Sequence, residues 1–92
     1  MKYSVKLSAL AREQLDAWRK CGNIPALHKL LTIMQELEEH PSSGTGKPER
    51  LKGDYSGYWS RRITKAERVV YSINGTEVLV NVISLKGHYG DR

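Results

Sequence analysis

The 92 residues, of which 39% are hydrophobic and 27% charged, have the composition of an ordinary soluble globular protein, and residues 1–92 are expected to form one domain. Fifteen Lys and Arg against ten Asp and Glu leave a net charge of +5, which favours a polyanionic partner such as RNA but is as typical of a basic protein without one. The single cysteine and the lack of any long apolar run exclude a disulfide-rich secreted scaffold, a signal peptide and a membrane span, and favour a cytoplasmic protein.

The first half of the chain predicts one strand followed by two helices. Residues 3–7 alternate between apolar and polar side chains, which is the period of a half-buried strand. Ser8 can cap the first helix, and Asn23 can cap a second one that is expected to end at about His40, before Pro41. Apolar residues at helical spacing predict the buried faces of the two helices: Ala11, Leu15 and Trp18, then Leu27, Leu30, Leu31, Met34 and Leu37.

The second half predicts a loop and then three strands. Residues 41–57 are rich in Pro, Gly and Ser and predict a single exposed loop. The strands are predicted over residues 58–63, 68–73 and 77–85. Asn74 and Gly75 predict a hairpin between the last two strands through a type I′ turn. The order β-α-α-β-β-β predicts an α+β fold with a helical hairpin packed on one face of a mainly antiparallel sheet.

Most familiar catalytic signatures are missing from the sequence. It contains no Gly-rich phosphate loop, no His-Glu-x-x-His motif and no pair of cysteines with zinc-ligand spacing. His28, His40 and His88 stand far apart in the chain, and no obvious carboxylates group with them. We therefore expect neither a metal nor any other cofactor.

The remaining candidates for chemistry are acid–base and cationic side chains of the second half. They are Glu49 in the loop, Arg61, Arg62 and Arg68 on or beside the predicted strands, and His88 and Tyr89 after the last strand. A carboxylate, guanidinium groups and an imidazole that meet at one end of a sheet suit cleavage of a phosphate ester. That reaction needs a base for the nucleophile, a cation for the phosphate and an acid for the leaving oxygen.

Three segments resemble the YoeB branch of the RelE-type toxins, and a fourth, the ending, resembles the Txe members of that branch. The segments are GKPERLK at 46–52, SGYWSRRI at 56–63, ERVVY at 67–71 and SLKGHY at 84–89. The resemblance implies a RelE-like fold and a metal-independent endoribonuclease that cuts messenger RNA in the ribosomal A site. The chain departs from the family pattern at Arg50, where Pro is common, and in continuing past Tyr89 to Arg92.

The resemblance also implies a role for each matching residue. Glu49 is similar to the general base that takes the proton of a ribose 2′-OH, and Arg68 to the residue that stabilises charge on the scissile phosphate. His88 resembles the general acid that protonates the departing 5′-oxygen, with Tyr89 shaping the site beside it. Arg62 is expected to be a second phosphate contact.

Three further cations are predicted to bind RNA or its phosphates. Lys47 and Lys52 are expected to contact ribosomal RNA, and Arg61 is expected either to face RNA or to be structural. The implied partners are the ribosome, messenger RNA and an antitoxin of the YefM/Phd type, with a homodimer possible and no membrane involved. Two other functions stay open, namely a gyrase-inhibiting toxin of the ParE kind on the same fold and a non-catalytic RNA-binding protein that blocks translation by occupancy.

Overall fold

The computed structural model describes residues 2–84, in which two helices lie against one face of a five-stranded sheet. The elements in chain order are β1 (Ser4–Leu7), α1 (Ala9–Lys20), α2 (Ile24–Leu37), β2 (Glu49–Arg50), a 3-10 turn (Gly53–Tyr55), β3 (Tyr58–Arg62), β4 (Arg68–Asn74) and β5 (Glu77–Ile83). The α+β class and the helical hairpin packed on the sheet are confirmed. None of the helices in this part of the chain is long and apolar enough to cross a membrane.

The sheet has the strand order β1-β5-β4-β3-β2. The first strand pairs in parallel with β5, and the other three pairings are antiparallel, so the mainly antiparallel sheet is confirmed. The predicted hairpin joins β4 to β5, but its turn lies one residue later than expected. Asn74 pairs with Glu77, so the central residues are Gly75 and Thr76. Only Gly75 has a positive φ, of 63°, which matches a type II′ turn rather than type I′.

Both helices begin at the predicted caps. The Ser8 hydroxyl accepts the Ala11 N–H at 3.0 Å, and the Asn23 side-chain oxygen accepts the Ala26 N–H at 3.2 Å. The second helix ends at Leu37, about three residues before the predicted end. The chain leaves the helix axis after Leu37, because the carbonyl groups of His40 and Ser43 accept hydrogen bonds from Arg61 of the sheet.

The core lies between the helices and the sheet. On the helices it contains Ala11, Trp18, Ala26, Leu30, Ile33 and Leu37, and on the strand side Ile63, Val69, Tyr71, Val78, Val80 and Ile83. One predicted core position of α2 is wrong, since Leu31 is 41% exposed. Ile33, which the prediction left out, is fully buried instead.

The predicted loop over residues 41–57 contains a short strand. Residues Glu49 and Arg50 pair with Ser60 and Trp59 of β3, and the Leu51 N–H donates to the Tyr58 carbonyl at 2.9 Å. Two residues carry no detectable periodicity, so the sequence alone could not predict this strand. This short strand forms because the outer edge of β3 offers backbone N–H and carbonyl groups for pairing. Glu49 is therefore a residue of the sheet and not of a free loop.

A buried arginine joins the helical layer to the sheet. Arg61 of β3 has no exposed surface, and its guanidinium donates to as many acceptors as it has N–H groups. The acceptors are the Tyr71 hydroxyl (3.1 Å), the Glu36 carboxylate (2.8 Å) and the carbonyl oxygens of His40 (2.7 Å), Ser43 (2.7 Å) and Thr45 (3.4 Å).

The partners of Arg61 also hold one another. The Tyr71 hydroxyl donates to the Pro41 carbonyl at 2.6 Å. The Glu36 carboxylate accepts the Thr45 N–H at 2.8 Å and the Thr45 hydroxyl at 2.6 Å. We call Arg61 and these partners the Arg61 cluster. It fixes residues 40–45 against α2, β3 and β4.

The cluster also sets the protonation of its acidic members. Burial raises the pKa of the Glu36 carboxyl, but the hydrogen bonds from Thr45 and Arg61 and the charge of Arg61 together outweigh burial. The pKa of Glu36 thus lies below its ordinary value of 4.5. Burial raises the pKa of Tyr71 above its ordinary value of 10.0, more than Arg61 lowers it. At neutral pH the cluster therefore holds a carboxylate and a protonated phenol.

Replacing the buried arginine should cost far more stability than replacing its exposed neighbour. Arg61→Gln removes the charge beside Glu36 and leaves partly buried acceptors without donors, which costs about 2–4 kcal/mol. Arg62→Gln, the matched control one residue along, should change stability by less than about 0.5 kcal/mol because Arg62 is exposed. Urea denaturation of both variants measures this, and equal losses would show that the cluster does not stabilise the fold.

The low pKa of Glu36 should appear as a dependence of stability on pH. A carboxyl whose pKa is lower in the folded chain stabilises the fold above its unfolded pKa, and this contribution is lost as the pH falls through the folded pKa. The difference in unfolding free energy between wild type and Glu36→Gln should therefore be largest above about pH 5 and shrink as the pH falls below it. Glu39→Gln, at an exposed position, is the control. A difference that stays constant from about pH 6 to pH 3 would contradict the cluster's charge state.

Candidate functional site

The strands present alternate side chains to two faces of the sheet. Trp59, Arg61, Val69 and Tyr71 point towards the helices, where they join the core or the Arg61 cluster. Their neighbours in the chain point the other way, because successive side chains of a strand alternate. We call this opposite side the far face and define it by the residues Glu49, Ser60, Arg62, Arg68 and Val70.

Two rows of paired residues cross the far face. In the first row Glu49 pairs with Ser60, which pairs with Val70. In the second row Arg62 pairs directly with Arg68. The Cα atoms of Glu49 and Arg68 are separated by two strand spacings across the sheet and two residues along it, or roughly 12 Å. The register of the strands therefore places one carboxylate residue and two arginines on the same face of the sheet.

The two arginines of the far face form a positively charged pair. Residues directly opposite on antiparallel strands have Cβ atoms roughly 5 Å apart, and like charges in this position repel each other. Within residues 2–84, neither Arg62 nor Arg68 takes part in an ion pair. An anion between the two guanidinium groups would relieve their repulsion.

The far face contains a buried serine, Ser60, which is paired with Glu49 across the sheet. Ser60 is 1% exposed, and its hydroxyl has no hydrogen-bond partner among residues 2–84. A buried hydroxyl without a partner is unfavourable by about 1–3 kcal/mol. Sequence reasoning missed this residue, because a serine within an alternating strand carries no signal of its own. It gives the far face a polar group directly opposite Glu49.

Ser84 is the last described residue and is fixed on both sides. Its N–H donates to the Arg68 carbonyl at 2.9 Å, and its carbonyl accepts the Trp18 indole N–H at 3.2 Å. The described part of the chain therefore ends next to Arg68. His88 and Tyr89, the other predicted catalytic residues, lie outside the described residues.

The segment that leads to Glu49 is fitted closely to β3. The Gly46 carbonyl accepts the Arg62 N–H at 2.7 Å, and Gly46 has a φ of +85°. A Cβ atom at Gly46 would lie 2.7 Å from the Arg62 carbonyl oxygen, so only glycine fits without a shift of the backbone. This close approach and the Arg61 cluster fix the entry to β2 from two sides.

The other predicted RNA contacts have different surroundings. Lys47 and Lys52 are exposed, and Lys47 lies beside Arg62 in a cleft. Arg61 is fully buried and its guanidinium is used by the cluster, so it is not available to a phosphate at the surface. Of the two roles left open for Arg61, its contacts correspond to the structural one. This corrects its inclusion among the phosphate-binding residues.

The side chains that commonly bind metal ions are dispersed over the described part of the chain. In residues 2–84, no three His, Cys, Asp or Glu side chains lie close enough together to hold a metal ion. The charged groups of the far face are one carboxylate, from Glu49, and two cations, from Arg62 and Arg68.

Comparison with known proteins identifies related sequences and structures. Residues 10–89 match the family described as "YoeB-like toxin of bacterial type II toxin-antitoxin system". A protein from Mycobacterium bovis described as "Toxin YoeB" is 41% identical over 79 residues, which cover 80% of this chain and 91% of that protein.

Two solved structures superpose over nearly the whole chain. The YoeB/ParE toxin from Agrobacterium tumefaciens has a TM-score of 0.79 at 31% identity, covering 94% of this chain and 99% of its own. A toxin chain from a YoeB-YefM complex of Staphylococcus aureus has a TM-score of 0.78 at 26% identity, covering 97% and 100%. The RelE-like topology expected from the sequence agrees with these neighbours.

Adding one methyl group at Gly46 should disturb the segment that carries Glu49. Gly46→Ala introduces both an unfavourable positive φ and a clash with the Arg62 carbonyl. Gly57→Ala is the matched control, since Gly57 has a φ of +96° but nothing within 4 Å of the place that a methyl group would take. We expect Gly46→Ala to lose about 1–2 kcal/mol more stability than Gly57→Ala in urea denaturation. Equal losses would mean that the close approach at Gly46 does not constrain the fold.

Proposed function

Because the chain belongs to the family of YoeB-like toxins of bacterial type II toxin–antitoxin systems, we propose that it is an endoribonuclease that cuts messenger RNA in the ribosomal A site. The observation that carries this proposal is the alignment of Glu49, Arg62 and Arg68 on the far face. A base and two cations on one surface are the groups that cleavage of an RNA phosphodiester requires.

The proposed reaction is an internal transesterification. Glu49 takes the proton of the ribose 2′-OH while the 2′-oxygen attacks the neighbouring phosphorus. Arg68 stabilises the charge that develops on the phosphate oxygens, with Arg62 as a second contact. The bond from phosphorus to the 5′-oxygen breaks, and His88 gives its proton to that oxygen, with Tyr89 beside it. The products are a 2′,3′-cyclic phosphate and a free 5′-hydroxyl, so the substrate must be RNA.

This reaction needs no metal ion in its chemical step. The proton transfers are made by a carboxylate and an imidazole, and the phosphate charge is met by guanidinium groups. Electrostatic stabilisation of this kind is most effective when the cations are fixed before the substrate arrives. Pairing within the sheet holds the backbones of Arg62 and Arg68 in this way.

The length of the chain allows His88 to act at the same site. Three residues lie between it and Ser84, so four Cα–Cα steps limit its Cα atom to within about 14 Å of the Ser84 Cα. Ser84 is bonded to the backbone of Arg68. The proposed acid therefore follows closely in the sequence on a residue that is hydrogen-bonded to the proposed phosphate contact.

The proposed partners follow from the site and from the relatives. The ribosome would present the messenger RNA, and Lys47 and Lys52 are proposed contacts to RNA. An antitoxin of the YefM type is the proposed inhibitor, since the Staphylococcus aureus relative was solved in complex with YefM. Covering the cations of the far face would block RNA. Self-association as a homodimer remains a proposal, as does a cytoplasmic location.

Removing the proposed base should abolish cutting without unfolding the protein. In a translating extract, wild-type protein should produce new messenger RNA ends within A-site codons. Glu49→Gln should reduce the rate of cutting roughly 10²–10⁴-fold because it cannot accept the proton. Arg68→Gln should also reduce cutting, through loss of charge stabilisation. Mapping of 5′ ends measures both.

The matched control for Glu49→Gln is Glu39→Gln, an exposed glutamate outside the far face that should keep wild-type cutting. A different result is that wild type and Glu49→Gln inhibit translation to the same extent while messenger RNA stays intact. That result would show that the protein blocks translation by occupancy and is not an enzyme. Cutting that survives Glu49→Gln would remove Glu49 from the reaction.

A further inference from the structure

A second basic site lies at the end of β3, beside α2. It is a cleft of about 420 Å³ bounded by α2, the segment before β2 and the turn between β3 and β4. Its described lining residues are Lys29, Gly46, Lys47, Arg62, Thr64 and Lys65. Four of these six are cations, contributed by three separate parts of the chain, and none is acidic or aromatic.

The four cations have no ionic partner in the described part of the chain. None of Lys29, Lys47, Arg62 and Lys65 forms an ion pair there, although other lysines do, such as Lys20 with Asp16 at 3.1 Å. The acid nearest to Lys65 in the sequence is Glu67, whose carboxylate is hydrogen-bonded to the Thr64 hydroxyl. Converging cations raise the electrostatic potential of a cleft, and a bound anion would lower the energy of the arrangement.

The backbone at Lys47 supports the same interpretation. Its φ of +53° is the only positive value of a non-glycine residue in the described chain. This conformation is unfavourable by roughly 1–2 kcal/mol for an L-residue with a side chain. Lysine gains nothing from it, whereas glycine or asparagine would fit more easily. Such local strain is found where a side chain is needed at a particular place, and here it belongs to a cation of the cleft.

We propose that this cleft binds a phosphate of the RNA backbone outside the bond that is cut. Arg62 is among the residues that line the cleft, and its position opposite Arg68 places it on the far face, so the cleft and the far face adjoin at this residue. An RNA strand whose scissile phosphate lies at Arg68 can continue past Arg62 to the cleft. Because no aromatic ring is among the described lining residues, the cleft would hold the backbone and not stack on a base, which gives affinity and orientation without sequence preference.

This inference depends on the proposed function only for the identity of the anion as RNA. The test therefore measures binding, separately from cutting. The probe is a single-stranded RNA with a 2′-deoxy nucleotide at the cutting site, used free and loaded as messenger on ribosomes. The variants are Lys29→Gln, Lys65→Gln and the double variant, with Lys47→Asn added because asparagine tolerates the positive φ.

Lys20→Gln is the matched control, because it removes the same charge from a helix outside the cleft. Each cleft variant should weaken binding at moderate salt, and the double variant roughly tenfold. Each phosphate that the protein no longer neutralises should reduce the slope of log affinity against log salt by about 0.7 for single-stranded RNA. Lys20→Gln should keep the wild-type affinity and slope.

The two arms identify the source of the phosphate. A loss with free RNA and with ribosomes would assign the phosphate to messenger RNA, and a loss with ribosomes alone would assign it to ribosomal RNA. Variants that bind both probes as Lys20→Gln does, or wild-type protein that binds neither, would overturn the inference. So would variants that weaken binding of a purified YefM-type antitoxin but not of RNA.

Failure of the proposed function would look different. If wild-type protein binds RNA, the cleft variants bind it more weakly as predicted, and wild type cuts no messenger RNA, then the RNA-binding cleft is supported and the nuclease function is wrong. If Glu49→Gln abolishes cutting while the cleft variants bind RNA as wild type does, then the nuclease function is supported and the RNA-binding cleft is wrong.

Discussion

The burial of one guanidinium group governs the arrangement of the rest of the structure. Arg61 has no exposed surface, so its donors must be satisfied within the protein. Three of its acceptors are carbonyl groups of residues 40–45, which can accept only if the chain turns inward after α2. The charge is balanced by Glu36, whose carboxylate also holds Thr45. This single requirement links the end of α2, the connection to β2 and the centre of the sheet.

The burial of Arg61 also determines which side chains of β3 lie on the far face. Fixing Arg61 towards the helices turns Ser60 and Arg62 to the opposite side, because side chains of a strand alternate. Antiparallel pairing then aligns Arg62 with Arg68 and Ser60 with Glu49. Two consecutive arginines consequently have unlike surroundings. One is a buried structural cation, and the other is an exposed cation shared by the far face and the neighbouring cleft.

In the proposed function, the charged residues form two groups: one stabilises the fold, and the other binds RNA. The ion pair of the buried Arg61 with the partly exposed Glu36 is already neutral and contributes to the fold. Arg62, Arg68 and the lysines of the cleft keep uncompensated charge among the described residues. The fold supports this unfavourable concentration of cations because the backbone pairing and the core determine their positions. An RNA backbone is the kind of ligand that would balance them.

The sequence by itself determined the features that depend on local pattern. Alternation and helical spacing predicted both layers, Ser8 and Asn23 marked where the helices begin, and the motifs around Glu49 and Arg68 indicated the family. Only the tertiary structure decided the features that depend on distant partners. Among residues 2–84 these are the strand at Glu49, the early end of α2, the burial of Arg61, the Ser60 hydroxyl without a partner and the position of Lys29 and Arg62 around one cleft. Their common reason is physical: hydrogen bonding and charge balance between residues far apart in the chain leave no periodic trace in the sequence.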